Sequence, residues 1–152
     1  MISTGAVKRT RSWLAEAVAG GAKVLTGGTS RGSCMEPTVV VGARPGDKIN
    51  REEVFGPVVS IARYRKLGDA LKQVNNSRFG LQAGIFTRSQ AVVDRAYKTL
   101  DVGGLVVNHT PTVRFDAQPY GGNKRSGFGR EGPRYAIQEM TELKTLLMPG
   151  TR

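Results

Sequence analysis

Two stretches of this 152-residue chain hold side chains whose types and spacing can do chemistry. In Glu52-Glu53-Val54-Phe55-Gly56-Pro57 a carboxylate stands two residues before an aromatic ring and a Gly-Pro turn. The carboxylate can accept two hydrogen bonds from a diol while the ring offers a flat apolar face, which are the needs of a ribose and a nicotinamide. Taken alone, the hexapeptide reads more simply as a surface charge beside a core phenylalanine. The second stretch, Pro119 to Gly132, holds five glycines in fourteen residues. Glycines so dense raise the entropy that folding must offset, so something here requires backbone to lie close to other groups.

Generic motifs do not explain those glycines. Gly127-Phe128-Gly129-Arg130-Glu131-Gly132 has the letters of G-x-G-x-x-G. A dinucleotide turn, however, follows an apolar strand and has an acidic residue about 20 positions later. Here Lys124-Arg125-Ser126 precede and the chain ends at Arg152. A phosphate loop needs Lys-Ser or Lys-Thr after its last glycine, which is absent, and Arg130-Glu131 interrupt any aromatic RNA-binding strand. One cysteine, Cys34, and one histidine, His109, exclude an internal disulfide framework and argue against a Cys/His zinc site. No base is placed by sequence beside Cys34, so it reads as an inert loop thiol, and His109 as a hydrogen-bonded loop residue.

The elements that would position these groups follow from periodicity. Val7, Leu14, Ala17 and Val18 recur at helical spacing up to Gly20-Gly21, which reads as a C-cap. Ala22–Thr26 and Pro37–Val41 read as strands flanking a polar loop over 27–36, and Pro45-Gly46-Asp47 as a turn. Val58–Tyr64 reads as a strand. Leu67, Leu71 and Val74 then mark a short amphipathic helix closing at Asn75-Asn76-Ser77. Phe79–Phe86 is expected as one strand, Ser89 as the cap of a helix through Leu100 stopped by Gly103-Gly104, and Leu105–Asn108 as a buried strand. A helix over Pro133–Met140 and a strand-like tail, Glu142–Met148, complete the pattern. Strands alternating with helices predict an α/β fold with an open, largely parallel sheet and flanking helices. The N-terminus enters this pattern on a helix with no strand before it, as if a front part were missing.

The apolar content, 39%, suits a folded domain, and 152 residues can enclose a core. No apolar run approaches the ~18 residues of a membrane helix and no secretory signal opens the chain, so a cytoplasmic, soluble protein without a membrane partner is expected. A net charge of +11 would attract polyanions. The basic residues are nevertheless scattered near turns without interleaved aromatics, which argues against a nucleic-acid surface.

The order Pro119-Tyr120-Gly121-Gly122, Lys124, Ser126-Gly127, Gly129-Arg130-Glu131, then Thr141-Glu142 and Lys144-Thr145, resembles the C-terminal signature of the aldehyde dehydrogenase superfamily. Glu52 to Pro57 matches a second family motif, and the similarity runs from about Ala17 to Met148. The resemblance implies NAD or NADP as cofactor, with Glu53 on the nicotinamide ribose and Phe55 beside the nicotinamide ring. It implies that Asn108 ends a strand beside the substrate loop, and that Arg114, Phe115 and Tyr120 stand at the substrate mouth. Arg130 and Glu142 correspond to a structural pair near the subunit interface, and Glu131 to an acidic residue with a possible part in proton movement. It also implies a partial catalytic domain over residues 1–140, a C-terminal oligomerisation strand and tail over 141–152, and a homo-oligomer.

The family's thiolate nucleophile, general base, oxyanion donor and Rossmann-like domain all correspond to sequence upstream of Met1. We therefore expect no catalytic residue and no metal site in this chain, weak or no cofactor binding and no activity from it alone, and a missing N-terminal half as a partner. Arg114, were it to face the mouth, would favour a small anionic aldehyde. A non-catalytic oligomerisation module and a basic nucleic-acid-binding domain are the rival readings.

Overall fold

Ser3 starts the first helix in the computed structural model, which describes residues 1–150. Its hydroxyl accepts a hydrogen bond from Ala6 N at 3.1 Å, so helix α1 begins at Thr4 and runs to Ala19, three residues earlier than the apolar spacing suggested. Val7, Thr10, Leu14 and Ala17 form its buried stripe, and Thr10 satisfies its buried hydroxyl by donating to Ala6 O at 3.0 Å. The chain leaves the helix through Gly21, at φ 105°, where a side chain would be strained.

Two compact units divide the chain, Met1–Ser77 and Arg78–Arg152. In the first, β1 (Lys23–Thr26) pairs antiparallel with β4 (Thr38–Val41), and β4 pairs parallel with β5 (Val58–Ile61). The polar segment between β1 and β4, expected as a loop, forms a small hairpin of β2 (Ser30–Arg31) and β3 (Cys34–Met35), turned at Gly32 with φ 60°. Met35 is buried there and joins Leu14, Ala17, Ala22, Val40 and Ile49 in the core. Ile49 arrives on a one-turn helix, α2 (Lys48–Arg51), too short to show a period in the sequence, and Lys48 pairs with Glu16 of α1 at 2.9 Å. Helix α3 (Leu67–Asn75) buries Leu71.

In the second unit the stretch expected as one strand from Phe79 to Phe86 divides between two partners. Strand β6 (Phe79–Gly80) pairs antiparallel with β9 (Asn123–Lys124), whereas β7 (Gln82–Ile85) pairs parallel with β8 (Gly104–Val107). Leu81 stands between them. Helix α4 (Gln90–Thr99) crosses from β7 to β8, giving a strand-helix-strand unit with parallel strands. Ser89 occupies its N-cap position, but its side chain makes no capping bond. The helix ends at Thr99, before Gly103-Gly104, so those glycines are not its stop; Gly103 instead lies so close to Gly121 that a Cβ would overlap the Gly121 carbonyl. Helix α5 (Pro133–Glu139) follows Gly132, at φ 115°, with Pro133 in its first turn.

The architecture is mixed α/β with flanking helices; its parallel pairs are β4–β5 and β7–β8. No described helix is long and apolar enough to cross a membrane. Residues 141–150 form no strand, correcting the strand-like reading of the tail within a single chain. A lone extended segment leaves its backbone donors and acceptors unpaired, and only a neighbouring strand gives it a ladder. Leu143, Leu146, Leu147 and Met148 are accordingly exposed.

Candidate functional site

The glycine stretch brings three backbone segments together. A Cβ on Gly122 would stand 2.7 Å from the backbone of Ser126, and one on Gly121 would stand 2.6 Å from the carbonyl oxygen of Gly129. Only glycine tolerates such spacing. Arg130 then locks the fold-back: Nη1 donates to Gly122 O at 3.1 Å and to Gly129 O at 2.8 Å, and Nη2 donates to Asn123 Oδ1 at 2.7 Å. Glu142 is exposed in the tail, and the partners described for the Arg130 guanidinium are the two backbone carbonyls and Asn123. The planar guanidinium can satisfy several acceptors without leaving its own loop, whereas the tail has no strand pairing to hold it near.

Tyr120 and Glu131 exchange backbone hydrogen bonds of 3.1 and 2.6 Å across this fold-back. The Arg114 guanidinium lies over the Tyr120 ring, 4.6 Å from its centroid, and Nη2 donates to Glu131 Oε2 at 2.8 Å. These three residues, singled out separately in the sequence, therefore touch one another as a single group. Tyr120, Val113 and Phe115 also line a half-open cleft of about 380 Å³, together with β8 residues. Gln82 lines it too, and its buried Oε1 has no hydrogen-bond partner. That acceptor escaped the sequence reading, because a strand glutamine gives no sign of which face it occupies.

Asn108 ends β8 with φ 56°, a conformation Asn tolerates better than most residues. Its N donates to Ile85 O at 2.7 Å, and its Oδ1 accepts from Thr87 N at 2.8 Å. This residue ties the ends of the parallel pair together. His109 is exposed beside it, its Nδ1 within 3.1 Å of Thr110 O.

In the first unit, Glu53 and Phe55 lie between α2 and β5. The segment is held by Thr38 N donating to Pro57 O at 2.8 Å and by Arg9 Nη2 donating to Val54 O at 3.5 Å. Phe55 takes φ 50° and is 73% exposed, so it is not a core residue. Glu53 is exposed as well. Both side chains are thus left open to solvent, a carboxylate and an aromatic face two residues apart. Cys34 is exposed on β3, with Arg31 opposite it in the hairpin register. No group of His, Cys, Asp or Glu that could hold a metal ion occurs among the described residues.

Over residues 1–146 the sequence matches the model of the aldehyde dehydrogenase family. The chain belongs to that family. Among curated relatives, a 3-sulfolactaldehyde dehydrogenase of Priestia aryabhattai is 43% identical over 97% of this chain and 31% of its own length. Among solved structures, aldehyde dehydrogenase 21 of Physcomitrella patens, in complex with the reaction product succinate, superposes with a TM-score of 0.93 at 44% identity, covering 97% of this chain and 31% of that one. A glyceraldehyde-3-phosphate dehydrogenase of Methanocaldococcus jannaschii, complexed with NADP, gives a TM-score of 0.89 at 31% identity over 96% of this chain and 32% of its own. This aldehyde dehydrogenase family chain thus spans about a third of the length of the relatives it matches.

Proposed function

We propose that this chain supplies the nicotinamide clamp and the substrate mouth of an NAD(P)-dependent aldehyde dehydrogenase whose aldehyde bears a carboxylate or sulfonate. The observation that carries the reading is Arg114, supported on Tyr120, which lines the cleft with Val113 and Phe115. A guanidinium resting on a lining residue can bind an anionic head with two parallel hydrogen bonds while Val113, Phe115 and the β8 side chains take the carbon chain. The names of the relatives lend support, since sulfolactaldehyde and succinate both carry such a group. Glu53 would hold the ribose hydroxyls and Phe55 would face the nicotinamide; the cofactor, when bound, accepts the hydride lost as aldehyde becomes acid. Asn108 and the Arg130 clamp keep the mouth in shape by fixing the ends of β8 and of the glycine stretch. The reaction further needs a thiolate, a general base and oxyanion donors acting as a unit, which on this reading come from the part of the enzyme outside these residues.

The test joins this chain to the front two-thirds of the Priestia relative and compares kcat/KM for an anionic and a neutral aldehyde of equal length. Arg114→Ala should reduce kcat/KM for the anionic substrate by about 10- to 100-fold, the range of a charge-assisted hydrogen bond, and leave the neutral one nearly unchanged. Equal losses on both would make Arg114 structural.

A further inference from the structure

Arg114 is already occupied by an anion, and that anion belongs to the chain. Glu131 Oε2 lies 2.8 Å from Arg114 Nη2, so an anion oxygen cannot hydrogen-bond that N–H while the carboxylate stays. The pair is exposed, with 49% of the Arg114 side chain and 63% of the Glu131 side chain accessible, so an incoming anion can reach it. Nothing else fixes the Glu131 carboxylate among the hydrogen bonds described for it, whereas its backbone is held by Tyr120 on both sides of the bridge. The carboxylate can therefore leave without disturbing the ring on which Arg114 rests. From this geometry we infer that Glu131 is a specificity-determining residue: an internal carboxylate that competes with the substrate's anionic group for Arg114.

The consequence is selective. A neutral aldehyde gains nothing from Arg114 and leaves the pair intact. A carboxylate or sulfonate that takes the Nη2 edge must displace Glu131, which lowers the affinity of every such anion by the same factor and narrows its advantage over a neutral aldehyde. Glu131 thereby sets the margin between anionic and neutral aldehydes and keeps Arg114 extended over Tyr120 when no substrate is present. This rests on the reading of Arg114 as the group that meets the substrate anion, and the experiment separates the two.

The 152-residue chain, labelled with 15N, is titrated with ethanesulfonate at constant ionic strength, following the Arg114 side-chain Nε–H resonance, with dimethyl sulfone as the neutral control. Glu131→Gln keeps the backbone bridge to Tyr120 and removes the competitor. It should tighten ethanesulfonate binding by about two- to fivefold, the range an exposed ion pair supplies. Glu131→Asp, with a shorter reach, should tighten it less, and Asp116→Asn, which changes net charge equally two residues from Arg114, should not tighten it. Spectra that overlay elsewhere establish that each variant is folded. Unchanged or weaker binding in Glu131→Gln, or an equal gain in Asp116→Asn, overturns the competition while leaving Arg114 as an anion reader. No response of Arg114 to ethanesulfonate in either the parent chain or Glu131→Gln overturns the anion reading itself.

Discussion

Asn108 Oδ1 accepts a hydrogen bond from Thr87 N at 2.8 Å, so the residue that ends β8 also holds the segment leaving β7. Its φ of 56° restricts what can replace it. Asn108→Val should lose the hydrogen bond and force a β-branched residue into the left-handed region, destabilising the chain by about 2–3 kcal/mol. Asn108→Gly keeps the backbone geometry and should cost about 1 kcal/mol. Urea unfolding midpoints check the order; equal losses would mean that strain plays no part.

Arg130 holds Gly122 O, Gly129 O and Asn123 Oδ1 with one rigid fork. Lysine has the charge but not the geometry, so Arg130→Lys should lose about 1–3 kcal/mol and speed amide exchange at Tyr120 and Glu131. A lysine variant with parental exchange rates at those two amides would show that the glycine stretch folds back without the clamp.

Phe55 separates stability from function. At 73% exposure it contributes little to the core, so Phe55→Ala should change unfolding free energy by no more than about 0.5 kcal/mol. In the enzyme completed with a homologous front part, the same substitution should weaken NAD(P) binding severalfold, as measured by fluorescence titration. A large stability loss with unaltered cofactor affinity would return Phe55 to the fold.

The tail should act through association. Leu143, Leu146, Leu147 and Met148 are all at least 75% exposed, and an apolar segment with unpaired backbone can add to the sheet edge of a neighbouring chain. Light scattering should show a dimer or larger assembly, and Leu143→Asp with Leu147→Asp should shift it toward monomer. A parental chain that stays monomeric up to millimolar concentration would remove this role and the C-terminal oligomerisation segment with it.

Cys34 should be chemically idle. It is exposed on a two-residue strand, and the residue opposite it is Arg31 rather than a base. The 152-residue chain should form no NADH from any aldehyde, and Cys34→Ser should leave its stability unchanged. Turnover that disappears in the serine variant would make this chain an enzyme in its own right.

The longer helices and most of the longer strands were legible because their signals are local. The stripe from Val7 to Ala17 and the runs around Val40 and Val106 report burial on one face through their own spacing, and the family match rests on glycines and charges in a fixed order. Pairings between distant residues left no such trace. No period distinguishes a Phe79–Phe86 strand paired with one neighbour from one divided at Leu81 between β9 and β8, since the choice depends on segments at least twenty residues away. Likewise Arg114, Tyr120 and Glu131 each had a role on paper, yet nothing in their separation of 6 and 11 residues required them to meet. The Tyr120–Glu131 bridge brought them together, by folding the glycine stretch back until a carboxylate stood against the arginine.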